Sequence, residues 1–264
     1  MTFVPYVCCG DYGMDFTFQL VKALAPHSGI IELGIPFSDP IADGPTIQLA
    51  AQRSLALGTR PEDVFPLVEK LRSAGVKNDF ALMTYYNIIF SFGQEKFLKR
   101  MKDSGAQALI IPDLPLGEDQ EFESLAKKRG IEIIKMVAPN TPAERVKELV
   151  KGSGKAPCSF AYLVSAKGTT GARANAGQGS VEFVKSVRKI AGKGARLFVG
   201  FGVSSPELAR AYMQAGADGV IVGSALIDIY CRFAGKVGEF EQAGAVGAVA
   251  RFAEVIARAA VLKR

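Results

Sequence analysis

Eight times along the chain a short apolar run is followed by a longer amphipathic one, and this repeat restricts the fold more than any other feature. The apolar runs fall at 4–9, 29–33, 80–85, 108–111, 132–137, 159–164, 196–200 and 219–222. They are short and rich in Val, Ile, Leu, Phe and Tyr, as strands buried on both faces are. The spacing predicts helices between them, over 16–24, 46–57, 61–74, 95–104, 118–129, 142–150, 181–190 and 206–215. Asn140-Thr141-Pro142 reads as a helix start with Thr at the N-cap and Pro just inside, and Ser204-Ser205-Pro206-Glu207 repeats that logic. Gly75, Gly105, Gly130 and Gly216 follow helix ends, where a left-handed residue stops the helix. A βα unit repeated eight times closes as an α/β fold, the (β/α)8 TIM barrel, whose usual size of ~250 residues suits the 264 here. An open doubly wound sheet is the alternative. The count of eight and the lack of any composition break favour the barrel, as a single catalytic domain over 1–264. A last Ala-rich amphipathic helix, 244–262, is expected to pack on the barrel exterior.

A chain of this length can bury an ample core without a disulfide or metal staple. Hydrophobic residues are 48% and charged residues 22%, a balance that argues against disorder. No apolar run reaches the ~18 residues of a membrane span. Met1-Thr2-Phe3-Val4-Pro5 lacks the basic-then-apolar pattern of an export signal. Cys8, Cys9, Cys158 and Cys231 show no CxxC spacing and read as reduced, buried thiols of a cytoplasmic protein. The single histidine, His27, leaves no His-rich metal site and argues against a Ser-His-Asp machine. The net charge is +6, but Lys and Arg are dispersed among acids, so nucleic acid is not the expected partner.

In such barrels the active site lies at the C-terminal ends of the strands. Glu32 ends an otherwise apolar run, and alternation puts Ile30 and Glu32 on one face and Ile31 and Leu33 on the other. With Ile31 and Leu33 against helices, Glu32 points into the barrel mouth, where burial would raise its pKa and suit it for proton transfer. The alternative is a core glutamate bonded to backbone. A second acid, Asp43, lies in a loop pinned by Pro36, Pro40 and Pro45, and two acids around a stiff loop favour catalysis. Gly200-Phe201-Gly202 and Val222-Gly223-Ser224 follow the seventh and eighth strands, the usual barrel site for a phosphate, although tight turns alone would also use these glycines. The polar, glycine-rich stretch 165–179 reads as a lid or as a disordered insertion. Tyr162 is expected inside the barrel, where its phenol needs a partner. His27 falls in a turn at the barrel's bottom. Lys135 and Lys167 are poorly placed for a Schiff base. Asp113 either lines the site or caps a turn.

The run Glu32-Leu33-Gly34-Ile35-Pro36-Phe37-Ser38-Asp39-Pro40-Ile41-Ala42-Asp43-Gly44-Pro45-Thr46-Ile47-Gln48 resembles the signature of the tryptophan synthase alpha subunit family. The similarity continues through Arg53, Tyr85 with Asn87, Asp113-Leu114-Pro115, Pro139-Asn140, Thr169-Thr170-Gly171, Gly200-Phe201-Gly202 and Gly223-Ser224, over nearly the whole chain. The resemblance implies a lyase that cleaves indole-3-glycerol phosphate by retro-aldol chemistry to indole and glyceraldehyde 3-phosphate. It implies no cofactor in this chain and a partner beta subunit carrying pyridoxal phosphate, in an alpha-beta-beta-alpha complex. Glu32 matches the family's proton-transfer glutamate, Asp43 the aspartate that holds the indole N–H, and Tyr162 the tyrosine beside them. Gly171, Gly202, Gly223 and Ser224 match the phosphate cradle. Tyr6, Tyr85, Met136, Thr170, Phe201 and Ile221 match positions around the indole ring. Two departures stand out. Only Met1-Thr2 precede Phe3, so the family's extra helix before the first strand is nearly absent, and Pro112 stands where a smaller residue is more usual, on one pocket wall.

The chemistry needs an electron sink, which protonation of indole C3 supplies. Glu32 can give that proton and then accept the hydroxyl proton of the glycerol chain, while Asp43 stabilises the positive N–H. Rivals are a metal-dependent epimerase, which would need histidines; an indole-glycerol-phosphate synthase, which would need a barrel lysine; a non-catalytic regulatory module that binds a phosphate ligand; and a stand-alone indole-releasing lyase. Ile35, Phe37 and Ile41 in the proline-rich loop are expected to be exposed together as a docking surface, the alternative being a self-packed loop.

Overall fold

The eight apolar runs form eight parallel strands: β1 (Phe3–Cys8), β2 (Ile30–Gly34), β3 (Asp79–Met83), β4 (Ala108–Ile110), β5 (Glu132–Val137), β6 (Ala161–Leu163), β7 (Leu197–Val199) and β8 (Gly219–Val222). Each pairs with the next in sequence, and β1 pairs with β8, so the sheet closes. That closure excludes the open doubly wound sheet. The computed structural model describes residues 3–156, 158–164, 176–200, 202–235 and 239–261.

Strand alternation sorts the apolar side chains into two cores. Val4, Ile30, Ala81, Ala108, Ile110, Ile134, Phe160, Phe198 and Ile221 fill the barrel, where Phe160 and Phe198 stack with centroids 4.5 Å apart. Ile31, Leu33, Leu82, Leu109, Val137, Leu163, Val199 and Val220 face outward and pack under the helices. Those helices are α1 (Met14–Leu24), α2 (Pro45–Ala56), α3 (Val64–Ser73), α4 (Tyr86–Phe92), α5 (Gln94–Ser104), α6 (Gln120–Lys128), α7 (Ala143–Val150), α8 (Ala176–Ala191), α9 (Pro206–Gln214), α10 (Ser224–Tyr230) and α11 (Gln242–Ala259). In α11, Ala245, Val249, Ala253 and Ile256 make a buried stripe at helical spacing, facing α1, α9 and α10 on the exterior. No described helix is long and apolar enough to cross a membrane.

Several local expectations hold. Ser205 caps α9, accepting from the Leu208 N–H, with Pro206 just inside. Gly75, Gly105, Gly130 and Gly216 all take positive φ after helices. Others need correction. Thr141 does not cap α7; its hydroxyl accepts from the Ala138 N–H at 3.0 Å, bracing the preceding turn, and Pro142 is the N-cap. The expected helix over 61–74 is split, because Pro61–Asp63 is a tight 3-10 turn closed by Asp63 accepting from the Arg60 N–H. The third strand stops at Met83, and α4 follows where no helix was expected. Cys8, Cys9 and Cys158 are buried free thiols, but Cys231 is half-buried. His27 lies in a half-buried turn, Ala25–His27.

Candidate active site

The C-terminal ends of the strands surround a cavity of about 350 Å³. Glu32, inward on β2, forms part of its wall beside Tyr6 of β1 and Ala81 of β3, its register partners. The residue is fully buried, and neither carboxylate oxygen has a hydrogen-bond partner among the described residues. The alternative of a glutamate bonded to backbone is thereby removed. Burial, and then the charge of Asp43, pushes the Glu32 carboxyl up to about 8. Such a group keeps its proton at neutral pH.

Asp43 reaches the cavity from the loop between β2 and α2. Tyr85 donates its hydroxyl to Asp43 Oδ2 at 2.9 Å and accepts from the Ala42 N–H at 3.1 Å. Gln48, one turn into α2, donates to the Asp43 carbonyl at 2.9 Å. Burial pushes the Asp43 carboxyl up to about 6, while the Tyr85 hydrogen bond pulls it down. One carboxyl protonated at neutral pH and one ionised thus face the same space, the division of labour that general acid–base chemistry needs.

Two inward tyrosines complete the wall, each made possible by a glycine. A Cβ on Gly200 would stand 2.1 Å from the Tyr162 ring, and one on Gly34 would stand 2.2 Å from the Tyr6 hydroxyl. Burial, followed by the charges of Glu32 and Asp43, raises the Tyr162 phenol well above its ordinary value. The cavity is also lined by Gly202, with φ of 63°, and by Gly223 and Ser224 at the start of α10, beside Tyr6. The first amides of a helix have no partner within it, so this corner is suited to an anion. Met136 and Ile221 supply apolar wall, together with Met83, Ile110, Pro112 and Val164.

The family profile of the tryptophan synthase alpha chain matches residues 1–252. The chain belongs to that family. The tryptophan synthase alpha chain of Thermococcus kodakarensis is 42% identical over 239 residues, spanning 90% of this chain and 92% of the relative. That of Methanococcus maripaludis is 44% identical over 226 residues, 86% of this chain and 85% of the relative. A solved structure of the tryptophan synthase α2β2 complex of Pyrococcus furiosus, a study of its mutual activation, superposes with a TM-score of 0.84 at 35% identity, covering 97% of both chains.

Nine residues expected in the site from the alpha-subunit resemblance line this cavity together: Tyr6, Glu32, Asp43, Met136, Tyr162, Gly202, Ile221, Gly223 and Ser224. Tyr85 is not among the lining residues; it stands behind Asp43 and holds it. Thr170, Phe201, Gly171 and Lys167 lie outside the described residues, as does most of the expected lid over 165–179. Asp113 is a cap: its Oδ1 accepts from the Tyr86 N–H at 2.9 Å, at the first turn of α4. Lys135 does not line the cavity. Arg53 lies away from it and makes a bidentate pair with buried Asp11, at 2.8 Å for both bonds. The expected apolar docking patch is corrected in part. Ile35 is buried, its N–H donating to the Met83 carbonyl at 2.9 Å, and the ring of Phe37 packs on Tyr85 with centroids 5.0 Å apart. Ile41 alone of the three is exposed, at 83%. Among the described residues no group of three His, Cys, Asp or Glu side chains is placed to hold a metal.

Sequence reasoning passed over Met83 and Ile110, although both follow the alternation that placed Glu32: each is at a strand end, in register with the other and with Gly34. It also passed over Gly34 as the seat of Tyr6, because the contact joins different strands and leaves no local pattern.

Proposed function

We propose that this chain is the lyase component of tryptophan synthase, cleaving indole-3-glycerol phosphate to indole and glyceraldehyde 3-phosphate at the end of tryptophan biosynthesis. The observation that carries the reading is the pair of acids with unlike protonation on one cavity: Glu32 unpartnered and pushed up to about 8, Asp43 held by Tyr85 at about 6.

The phosphate sits on the amides of Gly202, Gly223 and Ser224, to which the family resemblance adds Gly171. The indole ring lies among Tyr6, Met136 and Ile221, to which the family resemblance adds Thr170 and Phe201. Protonated Glu32 gives its proton to indole C3, which makes the ring a cationic sink. Ionised Asp43 accepts the ring N–H and stabilises that charge. The C–C bond between ring and glycerol chain then breaks, its electron pair returning to the ring. The adjacent hydroxyl becomes the aldehyde carbonyl and passes its proton to the Glu32 carboxylate, so the acid is restored. Tyr162 reaches in from β6, opposite β2, beside the reacting bond.

The whole chain works as one catalytic domain in the cytoplasm. Its partner is a beta subunit that carries pyridoxal phosphate and consumes the indole, within an alpha-beta-beta-alpha complex. The Pyrococcus furiosus α2β2 assembly supports this, and the exposed Ile41, in the same loop as Asp43, is the docking contact. The test is incubation with indole-3-glycerol phosphate while indole release is followed, alone and titrated with beta subunit. Weak cleavage that the beta subunit stimulates is expected. A rate that ignores the beta subunit would mark a stand-alone indole-releasing lyase. No cleavage in either case, with phosphate ligands still bound, would mark a regulatory module.

A further inference from the structure

Tyr6 carries a polar group that the reaction described above leaves unused. The side chain projects inward from β1, next to Glu32 in the register. Two glycines fix its ring. A Cβ on Gly223 would stand 3.1 Å from Tyr6 Cδ1, and a Cβ on Gly34 would stand 2.2 Å from the hydroxyl oxygen. The near edge of the ring therefore lies at the start of α10, in the anion corner, and the hydroxyl lies at the end of the strand that carries Glu32. Tyr6 is 7% exposed and lines the cavity, and its hydroxyl makes no hydrogen bond among the described residues. The hydroxyl is not one of the sealed, unpartnered polar atoms of the described residues, so a ligand that enters the cavity can meet it in place of water. Burial first, then the Cys8 thiol and the charges of Asp43 and Glu32, raises the phenol well above its ordinary value, so it remains a donor at neutral pH.

The polar atoms of the substrate can be assigned in turn. The phosphate goes to the amides at the start of α10, the ring N–H to Asp43, and the hydroxyl beside the breaking bond to Glu32. One hydroxyl is left, on the middle carbon of the glycerol chain, and the Tyr6 ring spans that stretch of the cavity, from the anion corner to the Glu32 strand. We propose that the Tyr6 hydroxyl hydrogen-bonds this middle hydroxyl, so that Tyr6 is a specificity-determining residue that selects hydroxylated chains over bare ones. The assignment rests on the functional reading given above.

Tyr6→Phe removes the hydroxyl and keeps the ring that fills the space against Gly34 and Gly223. Two ligands are compared: indole-3-glycerol phosphate, and an indolylpropyl phosphate that lacks both chain hydroxyls. In the variant, KM for the substrate is expected to rise about 3- to 10-fold, the usual worth of one neutral hydrogen bond. The inhibition constant of the bare-chain analogue is expected to stay where it was. Equal weakening of both ligands would assign Tyr6 to ring packing alone and overturn the proposal, as would an unchanged KM. A wild-type chain that cleaves normally beside such a result sinks the proposal only. A wild-type chain that never cleaves, with or without beta subunit, sinks the functional reading and the proposal with it.

Discussion

Glu32→Gln exchanges the buried carboxyl for an amide of nearly the same shape, which separates what the proton does from what the side chain packs. The folded chain holds this proton more tightly than the unfolded chain, because burial and the Asp43 charge move the carboxyl from 4.5 up to about 8. Folding stability contributed by the group is therefore full below about 4.5 and is lost as pH rises through 8. Above that range the folded state carries a buried, unpartnered carboxylate. At about 1.4 kcal/mol per pH unit, the wild type should lose on the order of 4 kcal/mol from this group between pH 5 and pH 9. Glu32→Gln cannot titrate in that window, so its stability relative to wild type should improve by a similar amount. Urea unfolding of both proteins at pH 5 and pH 9, followed by far-ultraviolet circular dichroism, reads the difference, and groups common to both largely cancel. In the same variant, cleavage should fall by ~10²–10⁴-fold, because Gln cannot cycle a proton. A stability gap that stays within about 1 kcal/mol across the two pH values would refute the raised carboxyl and remove Glu32 as an acid at neutral pH.

Tyr85→Phe removes the hydrogen bond that pulls the Asp43 carboxyl down, so Asp43 should protonate at higher pH. Cleavage should fall several-fold at pH 6.5 and much less at pH 8.5, as a rate profile would record. Ser224→Asp puts a negative charge at the start of α10, and KM for indole-3-glycerol phosphate should rise at least ~10-fold; an unchanged KM would move the phosphate elsewhere. Arg53→Met strands the buried Asp11 carboxylate, whose remaining partner is the Tyr230 hydroxyl at 2.6 Å. The cost should be ~3–5 kcal/mol by urea unfolding, partly recovered by adding Asp11→Asn.

The barrel was legible in the sequence because its strands are buried on both faces, and a run of Val, Ile, Leu and Phe has few other uses. Helix ends marked by glycine were legible for the same reason: a positive φ at Gly105 or Gly216 leaves little choice of residue. The helix α4 was not. Tyr86-Asn87-Ile88-Ile89-Phe90-Ser91-Phe92 is rich in aromatic and β-branched residues, which carry no helical signal of their own. It forms because Ile88 and Ile89 are buried and Asp113, from another loop, caps its first amide. Thr141 misled because its hydroxyl had a nearer backbone N–H to satisfy, at Ala138. In the site, Glu32 was readable from alternation alone. The burial of Ile35 and the packing of Phe37 on Tyr85 were not, since they depend on Met83 and Tyr85 arriving from β3 and the loop beyond it.

The two acids differ in what holds them, and that difference keeps their proton affinities apart. Glu32 is a strand position with no partner, so nothing offsets its burial. Asp43 hangs on a loop, and its ionised form is favoured by the Tyr85 hydroxyl. Two carboxylates in one cavity raise each other, so an equal environment would give a shared proton rather than a fixed acid and a fixed anion. The asymmetry traces outward through residues that never touch the cavity. Tyr85 is the residue before α4, and Asp113 anchors that helix by its first amide. Phe37, from the Asp43 loop itself, packs on the Tyr85 ring. Gln48 ties the Asp43 backbone to α2. A hydroxyl that must meet Asp43 at 2.9 Å is thus placed by a cap, a ring contact and a helix, none of them in the reacting shell. Asp113, the acid whose place the sequence left open, therefore connects to Asp43 through α4 and Tyr85: loosening α4 should loosen the donor that favours the Asp43 carboxylate.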